Sequence, residues 1–99
     1  MLIIAGTFTF DPDNTEAVRQ ASTNVMSATR QEEGCYEYTF SIDLADSASL
    51  CVFEVWESED HLKEHFKTSH VAEFSAAMKD FGISDRSLHK YQISSSDSM

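Results

Sequence analysis

The chain has 99 residues, 41% of them hydrophobic and 11% aromatic, and its 7 basic against 17 acidic side chains leave a formal charge of -10. That is enough for about one domain with a thin core, and it is too apolar and aromatic for a disordered acidic protein. The negative field repels phosphate backbones and anionic lipid, which excludes nucleic acid and membrane surfaces as partners; the acidity is scattered along the chain and serves solubility.

Met1 to Ile4 is apolar, but no basic segment precedes it and no apolar run approaches the roughly 20 residues of a membrane span, so a cytoplasmic, unexported protein is expected. Leu2 to Phe10, rich in Ile, Phe and Thr, predicts a first strand ended by Asp11-Pro12. Asp13 and Glu16 have capping-box spacing, and Val18, Ala21, Val25 and Ala28 recur at helical period, which predicts a helix over 14–33 with a stop at Gly34. From Cys35 to Ile42 the pattern has period two, with Tyr36, Tyr38, Phe40 and Ile42 on one side of a second strand. The polar stretch Asp43 to Ser49 is read as the turn of a hairpin. Leu50 to Trp56 is then a third strand, apolar on both faces and therefore covered on both. Hairpin register puts Cys35 and Cys51 about five positions out of alignment, so both are read as reduced, with a structural role.

Ser58 followed by Glu59 and Asp60 caps a short helix reaching about Lys67, and Thr68-Ser69 caps another in which Val71, Phe74, Ala77, Met78 and Phe81 keep helical period to Gly82. Leu88, Tyr91 and Ile93 mark a last strand, and residues 94–99 are too polar and small to pack. The expectation is one domain over 1–93 with a disordered tail over 94–99. The order β-α-β-β-α-β is the ferredoxin-like α+β arrangement, an antiparallel sheet with its helices on one face. No further element remains to cover the other face, so a second copy of the chain is expected there, as a homodimer.

His61-Leu62-Lys63-Glu64-His65 matches H-x-x-E-H, a zinc-peptidase spacing. Catalytic zinc needs a third protein ligand and a dry cleft, and this helix is polar, so no metal is expected and one of the two histidines is read as solvated. His65 lies at the edge of the apolar stripe, where it can look into a cavity and move a proton to or from a phenol or enol, oriented by a carboxylate such as Glu54. The competing reading is a satisfied, half-buried histidine. Glu54 and Trp56 share one face of the third strand; Trp56 serves as a substrate wall or as a core or interface aromatic, and the two uses are compatible. No glycine-rich phosphate loop, CxxC pair or G-x-S-x-G elbow is present, which leaves nucleotide cofactors, redox dithiols and serine hydrolysis without support.

The stretch Phe53-Glu54-Val55-Trp56-Glu57-Ser58, followed by His61-Leu62, His65, Thr68-Ser69-His70 and Phe74, resembles the antibiotic biosynthesis monooxygenase domain, and Gly34-Cys35-Tyr36-Glu37-Tyr38 fits the same pattern. The resemblance covers about residues 2–93 and is densest over 53–74. It implies a dimeric α+β barrel and oxygenation of quinols, anthrone-like rings or similar electron-rich aromatics without metal or flavin cofactor. On that resemblance Trp56 lines the pocket beside Glu54, His65 transfers the proton with His70 as a secondary candidate, and Tyr36, Tyr38 and Phe40 floor the pocket, although core packing competes for at least two of them. Gly6-Thr7-Phe8-Thr9 stands where haem-degrading relatives carry asparagine, and Arg19, Arg30 and Arg86 form no cluster for the phosphorylated sugars of the isomerising branch, so the quinol-type branch is nearest. The alternatives are a non-catalytic dimeric module that binds a small ligand, and an isomerase that shuttles a proton through the same histidine. An exposed His65, or a pocket filled by Trp56 and Tyr38, favours a binding or structural role.

Overall fold

In the computed structural model, which describes residues 1–99, the first strand β1 spans Leu2–Thr9. Pro12 opens a single 3-10 turn over Pro12–Asn14, and the Asp11 side chain accepts the Asp13 amide at 3.0 Å. Helix α1 follows at Thr15–Thr29, and its cap position, Asn14, makes no side-chain bond. The expected Asp13–Glu16 capping box therefore does not form, because the proline starts helical winding one turn earlier and Asp11 meets the free amide instead.

The helix also ends before the expected residue 33. The Arg30 amide still reaches the Met26 carbonyl at 3.0 Å, but the amides of Gln31 and Glu32 tighten onto Ala28 and Thr29, three residues back. That tightening is how a helix end satisfies its last carbonyls. Gly34, at φ +80, then turns the chain into the next strand, and a Cβ there would collide with the His61 ring. The loop over 30–34 is thus fixed from both sides.

β2 covers Cys35–Asp43 and β3 covers Asp46–Trp56. The predicted turn over 43–49 shrinks to Leu44-Ala45, because Asp43 accepts the Ala45 amide at 2.7 Å and Asp46 the Ala48 amide at 3.0 Å. The polar residues after Asp46 pair through their backbones, as between Ser49 and Thr9. A bulge interrupts the start of β2, where Cys35 pairs with Trp56 and Glu37 with Val55 while Tyr36 has no partner. The extra residue shifts the alternation. Tyr36 is 57% exposed and its hydroxyl donates to Glu57 at 2.9 Å, so the single-face row of Tyr36, Tyr38 and Phe40 is corrected to Tyr38 and Phe40.

α2 spans Glu59–His65 and α3 spans Ser69–Met78, with the side chains of Ser58 and Thr68 as their caps. β4 runs Asp85–Gln92, starting before Leu88 because the backbone already pairs at Asp85 with Thr9. No helix or strand includes residues 93–99. The sheet is antiparallel in the order β2-β3-β1-β4, which is the ferredoxin-like arrangement.

Alternation assigns each strand residue a face. Leu50, Val52, Glu54 and Trp56 of β3 are buried on the helix side with Leu2 and Phe8 of β1, against Val18, Val25, Leu62 and Phe74. Each such apolar side chain contributes on the order of 1.5–3 kcal/mol. On the opposite face Phe53 is 39% exposed and lies opposite Ala5, and Val55 lies opposite Ile3. The third strand is therefore covered on one face within the chain, not on both. No helix is long and apolar enough to cross a membrane.

Candidate active site

The corner between α2 and α3 presents two histidines to the loop after α1. His65 is the last residue of α2, and His70 is the second of α3. Between them the Thr68 hydroxyl donates to the His65 carbonyl at 2.7 Å while also capping α3, which fixes the corner. Glu32, in the loop over 30–34, places Oε2 at 2.6 Å from His65 Nδ1 and 2.7 Å from His70 Nε2. A carboxylate oxygen only accepts, so each of those nitrogens donates, and the lone pairs fall on His65 Nε2 and His70 Nδ1. The tautomers follow from this network.

The two rings differ in access. His65 is 2% exposed, with Trp56 at 4.7 Å and Tyr38 at 5.3 Å between ring centroids. Burial holds its pKa below the ordinary histidine value, with the Glu32 carboxylate pulling in the other direction, which favours a neutral imidazole. His70 is half-buried and lines a cleft of about 200 Å³ between α1 and α3. Ala21, Val25, Ala28 and Phe74 give this cleft apolar walls, and the exposed Asn24 and Glu73 give it polar edges.

Glu54 belongs to a separate centre. Its Oε1 accepts the Trp56 Nε1–H at 2.9 Å, and it is 8% exposed. Burial pushes its carboxyl up to about 7; the indole hydrogen bond works against that rise, and the charge of Glu32 adds to it. Tyr38, edge-on to Trp56 at 6.3 Å, has its phenol raised by burial and by the Glu54 charge. Glu54 therefore does not orient His65; Glu32 does. Trp56 has no exposed surface and lines neither cleft, and with Tyr38 it fills the space over His65. Phe40 lines a second cavity of about 260 Å³ between α1 and the β2–β3 hairpin.

The H-x-x-E-H pair does not assemble. His61 Nδ1 sits 2.8 Å from Ser58 Oγ and 3.6 Å from Glu57, on Gly34 and apart from His65 and His70. Cys51 lies opposite Ser41, both cysteines are free, and burial pushes the Cys35 thiol up to about 11, which makes it a poor nucleophile. Glu32 is the residue that sequence reasoning missed. It falls 33 positions before His65, no periodicity links the two, and a helix drawn to residue 33 hid it.

Residues 1–77 match the family model described as antibiotic biosynthesis monooxygenase. The probable quinol monooxygenase YgiN of Escherichia coli strain K12 is 31% identical over 72 residues, which is 65% of this chain and 69% of that protein. Protein sll1783 of Synechocystis is 28% identical over 98 residues, 99% of this chain and 67% of its own length. Among solved structures, a candidate antibiotic biosynthesis monooxygenase from Deinococcus radiodurans matches with a TM-score of 0.90 at 25% identity, covering 100% of this chain and 98% of that one. Rv0793 from Mycobacterium tuberculosis matches with a TM-score of 0.87 at 22% identity and 98% coverage of both chains.

Proposed function

The chain belongs to the antibiotic biosynthesis monooxygenase family, and from that premise we propose that it oxygenates a small quinol or similar phenolic ring with dioxygen. The observation that carries this reading is the pair of histidines held on one Glu32 oxygen, one of them lining an apolar cleft. Removing a phenolic proton gives a phenolate that can itself pass an electron to dioxygen, so the protein has to bind the ring, take the proton and keep water out. For a quinol the balance is one ring C–H converted to C–OH and oxidation to the hydroxyquinone; the second oxygen atom leaves as water.

In this reading His70 Nδ1 takes the proton at the cleft. Glu32 stabilises the resulting imidazolium, and His65 anchors Glu32 from the core side, its ring held by Trp56 and Tyr38. This exchanges the roles expected of the two histidines, because His70 is the one that lines a cavity. A cleft of about 200 Å³ is below the common range of about 300–1,000 Å³ for ligand pockets, which favours a single quinol ring over a polycyclic anthrone.

The same proposal includes a homodimer, with a second copy laid over the outer sheet face that carries Ile3, Phe53, Val55 and the half-exposed Tyr91. Sedimentation velocity should give twice the chain mass, and Phe53→Lys should shift the population to single chains.

The test of the activity is oxygen uptake by chelator-treated protein with a panel of small quinols, over about pH 6 to 8 where a histidine titrates. Uptake above the spontaneous rate and lost in His70→Asn is the expected result. A rate equal to the spontaneous one overturns the oxygenase reading. The second reading is then a ligand-binding module, which draws on Trp56 and Tyr38 filling the space over His65; proton exchange in a bound ligand without oxygen uptake would instead mark an isomerase.

A further inference from the structure

We propose that Glu32, His65 and His70 form a binding site for a divalent first-row transition cation such as zinc, and that the bound cation switches off proton transfer at the cleft. The first half stands on the geometry alone; the second rests on the function proposed above.

One donor atom from each residue lies within 4.8 Å of the others. They come from three separate segments: the loop after α1, the end of α2 and the start of α3. Two imidazoles and one carboxylate suit zinc and its neighbours, whereas calcium and magnesium prefer all-oxygen sets. Three protein ligands leave a coordination position open, as in sites that keep a water or an anion. The side chains of His70 and Glu32 keep 21% and 15% of their surface exposed, so the site has a route to solvent. The formal charge of -10 raises the local concentration of cations.

A cation about 2.0–2.1 Å from each nitrogen takes the place of the two protons now shared with Glu32 Oε2. To admit it, Glu32 Oε2 has to draw back from the 2.6 and 2.7 Å at which it now stands to roughly 3.3 Å, and the two ring nitrogens, now within 4.8 Å of each other, have to settle at about the same separation. With the backbone of the loop and of both helices in place, the adjustment falls to side-chain rotation, of the two rings and of the Glu32 carboxylate, whose side chain is 15% exposed. Each imidazole must carry its proton on the other ring nitrogen once the metal is bound. His70 Nδ1 then becomes an N–H, and the lone pair that would receive the substrate proton is gone. The cation and the substrate proton use opposite edges of the same ring.

The pair His61 and His65 lacks a third ligand, since His61 is held by Ser58 and Glu57. His65 and His70 have that third ligand in Glu32, which they share.

Chelator-treated protein titrated with cobalt(II) should develop visible d–d absorption saturating at one ion per chain, and zinc should bleach it. Glu32→Gln, nearly isosteric, should weaken cobalt binding at least tenfold, and His70→Asn should abolish it, with circular dichroism confirming the fold of each. His61→Asn should bind as the parent does. Absent or non-saturating absorption overturns the site, and so does binding that survives Glu32→Gln but is lost in His61→Asn, since that would place the ion on the H-x-x-E-H pair. Binding is read without substrate, so an inactive protein that still binds one cobalt separates failure of the oxygenase reading from failure of this one. If oxygen uptake is present, zinc at one equivalent should reduce it at least tenfold in the parent and leave it unchanged in whatever activity Glu32→Gln retains. Uptake unaffected by bound zinc refutes the switch.

Discussion

Two glutamates on the helix side of the sheet are held in opposite ways. Glu32 lies in a loop and receives two N–H donors on a single oxygen, from histidines on two different helices. Glu54 lies within β3, receives one indole N–H, and is otherwise enclosed by the core. Hydrogen bonds to a carboxylate stabilise its charged form, and desolvation opposes it. The loop carboxylate is shared between two rings that can take a proton. The strand carboxylate is held near the point where it is neutral, its pKa pushed up to about 7 by burial. Chemistry is therefore expected at the corner of loop and helices, and support at the strand, although both acids stand on the same side of the sheet.

The largest effect should come from breaking the Glu32 centre. A positioned proton acceptor contributes about 10²–10⁴ in rate. His70→Asn should lower oxygen uptake at saturating quinol by at least about a hundredfold, since asparagine keeps a polar group there but has no basic nitrogen. Glu32→Gln should cost less, because glutamine can still accept a hydrogen bond but cannot stabilise the imidazolium. Uptake within about threefold of the parent in His70→Asn would mean that the histidine corner is not the base, and the contrast between the two acids would lose its functional half.

Glu54 should show the opposite behaviour, in stability. Its carboxyl moves from the ordinary 4.5 to about 7 on folding. Between those values the folded chain holds a proton that the unfolded chain has released, so stability falls as pH rises through this window and levels off above it. At 1.36 kcal/mol per unit, the penalty at alkaline pH is at most about 3 kcal/mol. Glu54→Gln removes the charge and keeps an acceptor for the indole. Urea unfolding should find it more stable than the parent by about 2 kcal/mol at pH 8, with the gain gone near pH 4.5. A loss of stability at pH 8 would mean that the Glu54 charge is favourably paired in the folded chain.

Sequence pattern recovers the scaffold better than the site, and particular residues explain why. Ser58 and Thr68 announce α2 and α3 because a cap is a local device, and period two puts Glu54 and Trp56 on one face of β3, while apolar residues on both sides of that strand hide which face meets the helices. The bulge at Tyr36 leaves no such signal; one unpaired residue turns the apparent aromatic row into two residues and an exposed tyrosine. Glu32 is hidden for a different reason. Its partners lie 33 and 38 positions away, and only the folding of the sheet brings them together. The spacing of His61 and His65 is visible and leads nowhere, because His61 is held by Ser58 and Gly34 instead.

The smallest effect on oxygen uptake, and the one that separates two roles for the strand centre, is that of Trp56→Phe. Phenylalanine keeps much of the apolar packing but removes the only N–H that Glu54 receives, and leaving a buried acceptor without its partner costs about 1–3 kcal/mol. That bond favours the charged carboxylate, so its loss should raise the Glu54 pKa further, and the penalty should be larger at pH 8 than at pH 5. Oxygen uptake should stay within about twofold of the parent, because Trp56 has no exposed surface and lines neither cleft. If uptake instead fell while the unfolding free energy held, substrate would have to reach the indole, and the space over His65 that Trp56 and Tyr38 fill in the isolated chain would have to open when ligand or a second copy binds.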